Sequence, residues 1–235
     1  MAKTVGLTRN LKLQWLNKVS ELALMGLTQD EIKEQLNEYL SFEINSPTNL
    51  RKTREILMNI WFYENKRTNK IKTYATEILR KYPEYSLELH WCMMMAAYPV
   101  FTDMCKIIGK ISGFQDGIVM AQLKQKLFDE WGERTTLHHS IDKMVATLKD
   151  MNVMICDKPG RYHINKRIVT NTSIVTLMIY TKMMMDDRGY YTFEDLQSSD
   201  YFFPFEYKIE KQVLLEDSRF AMNRFGSELS ISIKE

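Results

Sequence analysis

Apolar residues recur every three or four positions through most of the chain, the period of helices that turn one face to a core. Over residues 10–25 (NLKLQWLNKVSELALM), Leu11, Trp15, Val19, Leu22 and Met25 form one such stripe, and Gly26 ends it. Thr28 opens a second helix, and Glu31 three residues on completes a capping box. Ile32, Leu36 and Leu40 follow at fours. EINSP breaks this helix, and Pro47 suits the first turn of a third over about 48–63. Leu50, Ile56, Leu57, Ile60 and Trp61 turn inward there, leaving Arg51, Lys52 and Arg54 on the other face. The polar run YENKRTNKIKTY predicts a loop or wing before a short helix near 73–81. Beyond Tyr82-Pro83, residues 84–97 and 100–111 read as two helices parted at Tyr98-Pro99. The first is apolar almost all round, which implies burial between neighbouring units, and its methionines suit flexible core filling.

Residues 117–165 carry the densest pattern. Val119, Leu123, Leu127 and Trp131 stand at successive fours, Gly132 permits a turn, and Thr135 or Thr136 is placed to cap the next helix. That helix turns Leu137, Ile141, Met144, Val145, Leu148 and Met151 inward. Arg134, Thr135, His138, His139, Asp142 and Lys143 remain outside, all in or beside its first half. Two alternating strands near 153–156 and 161–164 follow, joined through Pro159-Gly160 in a type II turn that presents Lys158 and Arg161. Helix, turn, helix and basic-tipped hairpin is the pattern of a winged helix-turn-helix. Further on, the pattern predicts a helix near 172–186, a short one capped by Thr192, another near 207–225 and a closing strand.

The fold class expected is therefore mainly α: a multi-unit helical protein with winged helix-turn-helix domain(s) and a short β-hairpin wing. Residues 1–82 read as a helix-turn-helix-like unit, 83–168 as a helical hairpin plus winged helix, and 169–235 as a helical unit with a terminal strand.

Composition permits a buried core, with 45% hydrophobic and 26% charged residues. The formal charge of +2 conceals an asymmetry. Residues 186–235 hold 11 acidic and six basic side chains, and 1–185 hold 26 basic and 19 acidic. Residues 46–81 alone carry nine basic against three acidic. A basic body suits a polyanionic partner. Cys92, Cys105 and Cys156 are sparse and unpaired in spacing, and the N-terminus lacks an apolar signal core, so a reducing cytoplasm is expected. The longest apolar run, 91–101, contains Pro99 and falls short of the roughly 20 residues of a membrane span.

Duplex DNA is the first partner this chemistry suggests. Arg134, Thr135, His138, His139 and Lys143 are candidates to face a groove, and Lys158, Arg161, Arg51, Lys52 and Arg54 to hold phosphates. No cofactor or metal is expected: His138 and His139 are adjacent and diverge on a helix, and no metal-ligand or nucleotide-binding motif occurs. Asp200 with Glu206-x-Lys208 superficially matches a nuclease array, but helical flanks are expected there and chance explains it better. An enzyme is not expected.

LHWCMMMAAYPVFTDMCKIIGKI, followed by LKQKLFDEWGERTTLHHSIDKMVATLKDMNVM, resembles the BrxA family, small proteins of bacterial BREX phage-defence systems. The resemblance is clearest over about 85–155, in the tryptophan-led apolar helix ending in Tyr-Pro and the Trp-Gly-x-Arg-Thr-Thr turn. It implies a non-enzymatic, DNA-binding accessory protein acting with other BREX components. Such proteins have also been likened to the NusB-type RNA-binding antitermination fold, which keeps RNA open as a partner. A third reading is a protein-interaction adaptor that never meets nucleic acid, favoured by the modest net charge and the acidic final segment.

Overall fold

The computed structural model describes residues 5–186, 188–225 and 228–234. Its first three helices, α1 (Leu13–Leu24), α2 (Gln29–Ser41) and α3 (Pro47–Trp61), follow the apolar stripes. The capping box of α2 forms: the Thr28 amide donates to Glu31 Oε2 at 2.8 Å, and the Glu31 amide donates to Thr28 Oγ1 at 3.4 Å. Ser46 caps α3, with Pro47 in its first turn. A correction comes next. The run expected as a loop or wing is mostly helix, because α4 (Lys66–Lys81) starts at Asn65, whose side chain accepts from the Arg67 and Thr68 amides. Thr68, Ile71, Ala75 and Leu79 supply its buried stripe, which the intervening lysines and arginine obscure in the sequence.

After a 3-10 turn at Pro83–Tyr85, α5 (Ser86–Ala97) runs through the middle of the molecule and packs against α1, α3 and α4. Ten of its twelve residues are buried, as its all-round apolar surface requires. Inside it, Trp61 Nε1–H donates to His90 Nδ1 at 2.9 Å. That bond leaves the ring proton on Nε2, 2.8 Å from Asn17 Oδ1, so one imidazole ties α1, α3 and α5 together. Complete burial lowers the His90 pKa to about 3 and keeps the ring neutral.

Then α6 (Pro99–Ser112) leads to a two-residue strand, β1 (Ile118–Val119), and to α7 (Met120–Trp131) and α8 (Thr135–Asp150). Gly132, at φ +76°, makes the turn between the last two. The hairpin that follows is β2 (Met154–Lys158) and β3 (Arg161–Ile164), with Gly160 at φ +79° as its type II turn requires. A bulge lies between Cys156 and Lys158. Antiparallel β1 joins the other edge of β3, giving the order β1-β3-β2. The sequence gives no hint of β1, which is too short to show alternation.

The last third mixes elements more than its pattern predicts. β4 (Arg167–Val169) precedes α9 (Thr172–Met185), a buried helix packed on α4 and α5. The Thr192-capped helix is present as α10 (Phe193–Leu196), followed by a 3-10 turn at Asp200–Phe202. β5 (Phe205–Tyr207) pairs in parallel with β4. The helix expected near 207–225 is corrected to α11 (Lys211–Glu216) followed by a strand, β6 (Phe220–Phe225), hairpin partner of β7 (Glu228–Ile233). One continuous cluster of buried apolar side chains runs from Val5 to Ile231, and the partly buried Tyr85, Tyr162 and Ile164 pack against it from the first 3-10 turn and β3. Among the described residues, no helix is long and apolar enough to cross a membrane.

Candidate nucleic-acid interface

α8 buries Leu137, Ile141, Met144, Val145 and Leu148, with Ser140 and Thr147 beside them. The N-terminal segment covers that flank: Ser140 Oγ donates to the Leu7 carbonyl, the Leu11 amide donates to Thr147 Oγ1 at 2.9 Å, and Asn10 Nδ2 reaches Asp150 Oδ2 at 2.7 Å. What stays exposed is Thr135, Thr136, His139, Asp142, Lys143, Lys149 and Asp150, one stripe at helical spacing. The helix starts one residue earlier than its expected cap. Arg134 holds the N-cap position without a side-chain capping bond, so Thr135 and Thr136 lie inside the first turn. Their hydroxyls are therefore not consumed as caps, which corrects the expected role.

The predicted groove-facing residues divide accordingly. Thr135, His139 and Lys143 are exposed on the stripe. Arg134 is half-buried and has a partner within the chain. His138 sits at the stripe's edge, its Nε2 3.0 Å from Glu133 Oε1 and its ring 4.2 Å from that of Phe128. Of the five, His138 is thus engaged at the turn and Arg134 within the chain, which leaves three exposed. Asp142 is held by Lys124 of α7 at 2.7 Å. That contact escapes sequence reasoning because it crosses between helices.

On the hairpin, Lys158 and Arg161 are exposed and face one another across the turn. Asp157, extruded by the bulge, meets His163 Nδ1 at 2.5 Å. The tip keeps its two cations without an ion pair among the described residues.

Of the three candidates on α3, Arg51 and Lys52 are exposed in its first turns. Arg54 is half-buried and engaged within the chain. Its Nε and Nη2 donate to Glu55 Oε1, at 3.0 and 2.5 Å, and its Nη1 to Asn37 Oδ1 at 2.9 Å. Burial works to raise the Glu55 pKa, but the Tyr63 hydroxyl and the Arg54 guanidinium hold it below the ordinary carboxylate value. Arg54 is an internal tie between α2 and α3. Close by, α4 exposes Lys66, Arg67 and Lys70.

The superficial nuclease array does not stand on helical flanks as expected. Glu206 lies on β5, where Lys166 Nζ approaches its carboxylate at 2.8 Å, and Asp200 opens the 3-10 turn. Compared with known proteins, the chain matches no family model, no curated protein and no solved structure.

Proposed function

We propose that this is a non-enzymatic factor that binds duplex DNA through a winged helix-turn-helix formed by α6, β1, α7, α8 and the β2–β3 hairpin. The observation that carries the reading is the chain order helix, strand, helix, helix, hairpin with the sheet order β1-β3-β2. In that arrangement the second helix of the pair enters the major groove and the hairpin follows the backbone. The exposed hydroxyls, imidazole and ammonium of α8 suit base edges, and Lys158 and Arg161 suit phosphates. The resemblance of residues 85–155 to the BrxA family supports the same reading. It adds the proposal that the protein works beside other components of a BREX-type phage-defence system.

A specific observation favours a second reading, that of an adaptor. The exposed stripe of α8 carries Asp142 and Asp150 against Lys143 and Lys149, so its formal charge is zero. A filter-binding titration of duplex DNA, single-stranded DNA and structured RNA, at low and moderate salt, separates these possibilities. Duplex bound most tightly, and weakened steeply by salt, is the expected result. RNA displacing duplex contradicts the DNA reading in favour of an antitermination-like one. No retention of any nucleic acid, with a defence-system protein co-purifying, leaves the adaptor.

A further inference from the structure

We infer that Asp142 is a specificity-determining residue of α8, placed to accept a hydrogen bond from the exocyclic amine of a cytosine in the major groove. That role presupposes the duplex-DNA reading of α8. Asp142 lies on the line Thr135, His139, Asp142, Ala146 (i, i+4, i+7, i+11), midway along the helix and on the side of the exposed stripe that Lys124 of α7 reaches. Its side chain is half exposed, and its carboxylate is 2.7 Å from Lys124 Nζ, which reaches across from α7.

A carboxylate is a poor residue to bring against a phosphate backbone. Phosphate oxygens carry negative charge and only accept hydrogen bonds, so every approach to them costs affinity. The donors that a duplex offers in its major groove are base amines: N4 of cytosine and N6 of adenine. The two are not equivalent to a carboxylate. The adenine amine sits between two acceptors, its own N7 and thymine O4, whereas the cytosine amine has an acceptor, guanine O6, on one side only. Repulsion from flanking lone pairs is therefore smallest at cytosine. Guanine and thymine present acceptors alone to a side chain in this groove and are rejected.

Lys124 sharpens the choice as a positioning residue. Its ammonium occupies one carboxylate oxygen and fixes the orientation of the group before DNA arrives, while offsetting part of its charge. The stripe as a whole adds no net charge, so entry of α8 into a groove is favoured by matched hydrogen bonds rather than general attraction. Attraction is left to the exposed cations of the hairpin and of α3 and α4.

Selection of bound duplexes from a randomised pool tests this, followed by titration of the selected and scrambled duplexes at one ionic strength. The wild-type chain should enrich a cytosine at one position, discriminating against its replacement about tenfold, the range of one good base contact. Asp142→Asn should move that preference to adenine, since a carboxamide pairs with N6 and N7 together, and should bind scrambled duplex about two- to threefold more tightly. Lys124→Met should keep the cytosine but blunt the discrimination, a change that a merely structural role would not produce. Asp142→Asn selecting the wild-type sequence with undiminished discrimination would overturn the inference and leave duplex binding standing. So would a wild-type chain that selects nothing while retaining all duplexes. Failure of the wild-type chain to retain any duplex at low salt would instead remove the reading on which the role depends.

Discussion

The helices α3 and α8 both begin with exposed polar turns, yet they offer a partner different things. α3 presents Arg51 and Lys52, with Lys66, Arg67 and Lys70 of α4 nearby in sequence, and its one paired cation, Arg54, is drawn inward by Glu55 and Asn37. α8 presents threonine hydroxyls, an imidazole, two lysines and two aspartates, one of them fixed by Lys124. The first surface is an electrostatic attractor without much hydrogen-bonding selectivity. The second is balanced in charge and rich in directional groups. On the duplex-DNA reading, affinity and discrimination are separable properties of two regions, since phosphate contacts supply the former and base contacts the latter.

That separation predicts unequal mutational effects. Reversing Arg51 and Lys52 together to glutamate should weaken binding to selected and scrambled duplex alike by about 30-fold at moderate salt, because two phosphate contacts become repulsive. Titrations of both duplexes check this, and a loss confined to one sequence would erase the contrast with α8.

The next effect concerns the scaffold that holds α3. His90 is neutral in the folded protein, with its pKa lowered to about 3 by burial, against an ordinary value near 6.5 when unfolded. The unfolded chain therefore binds a proton between these values while the folded one does not. The stability this group contributes is fully present above about pH 6.5 and is lost as pH falls toward 3. Between pH 7 and 5 the loss should be about 2 kcal/mol, measured by urea unfolding as the difference between wild type and His90→Gln. Taking that difference removes other titrations, including that of the buried Glu88, whose raised pKa acts in the opposite sense.

Two smaller effects refine the comparison. Lys143→Ala, on the α8 stripe, should weaken selected duplex by about fivefold and scrambled duplex by less, read from paired titrations. Arg54→Ala should leave duplex affinity unchanged while lowering unfolding stability by about 1 kcal/mol, since it severs the tie to Asn37 and Glu55. An affinity loss for Arg54→Ala without a stability loss would return it to the phosphate-binding set.

The features legible in the sequence were those written within a few residues of one another. The Thr28–Glu31 box, Pro47 at the start of α3, the inward stripe of α8 and the Pro159-Gly160 turn depend on local spacing, and all are present. What depends on partners distant in the chain was not legible. β4 and β5 pair across nearly 40 residues, and β1 is a strand only because β3 lies beside it. The first half of α4 reads as a loop in the sequence because its lysines and arginine hide the first members, Thr68 and Ile71, of the buried set that continues with Ala75 and Leu79. The same limit shaped the candidate site. A helical wheel identifies the outer face of α8, but not that Glu133 and Phe128 occupy His138, or that Lys124 holds Asp142. Likewise it places Arg54 outside, where Asn37 on the preceding helix instead pins it.

The central claim, that α8 and its hairpin meet a duplex, is tested most directly by the salt dependence of binding for wild type and Lys158→Glu/Arg161→Glu. The two cations are exposed at the hairpin tip, where reversal leaves the core intact. With an unchanged melting temperature, the plot of log affinity against log salt should become shallower by about two for the variant, one for each lost phosphate contact. Wild-type and variant lines that coincide in slope and position would contradict the claim.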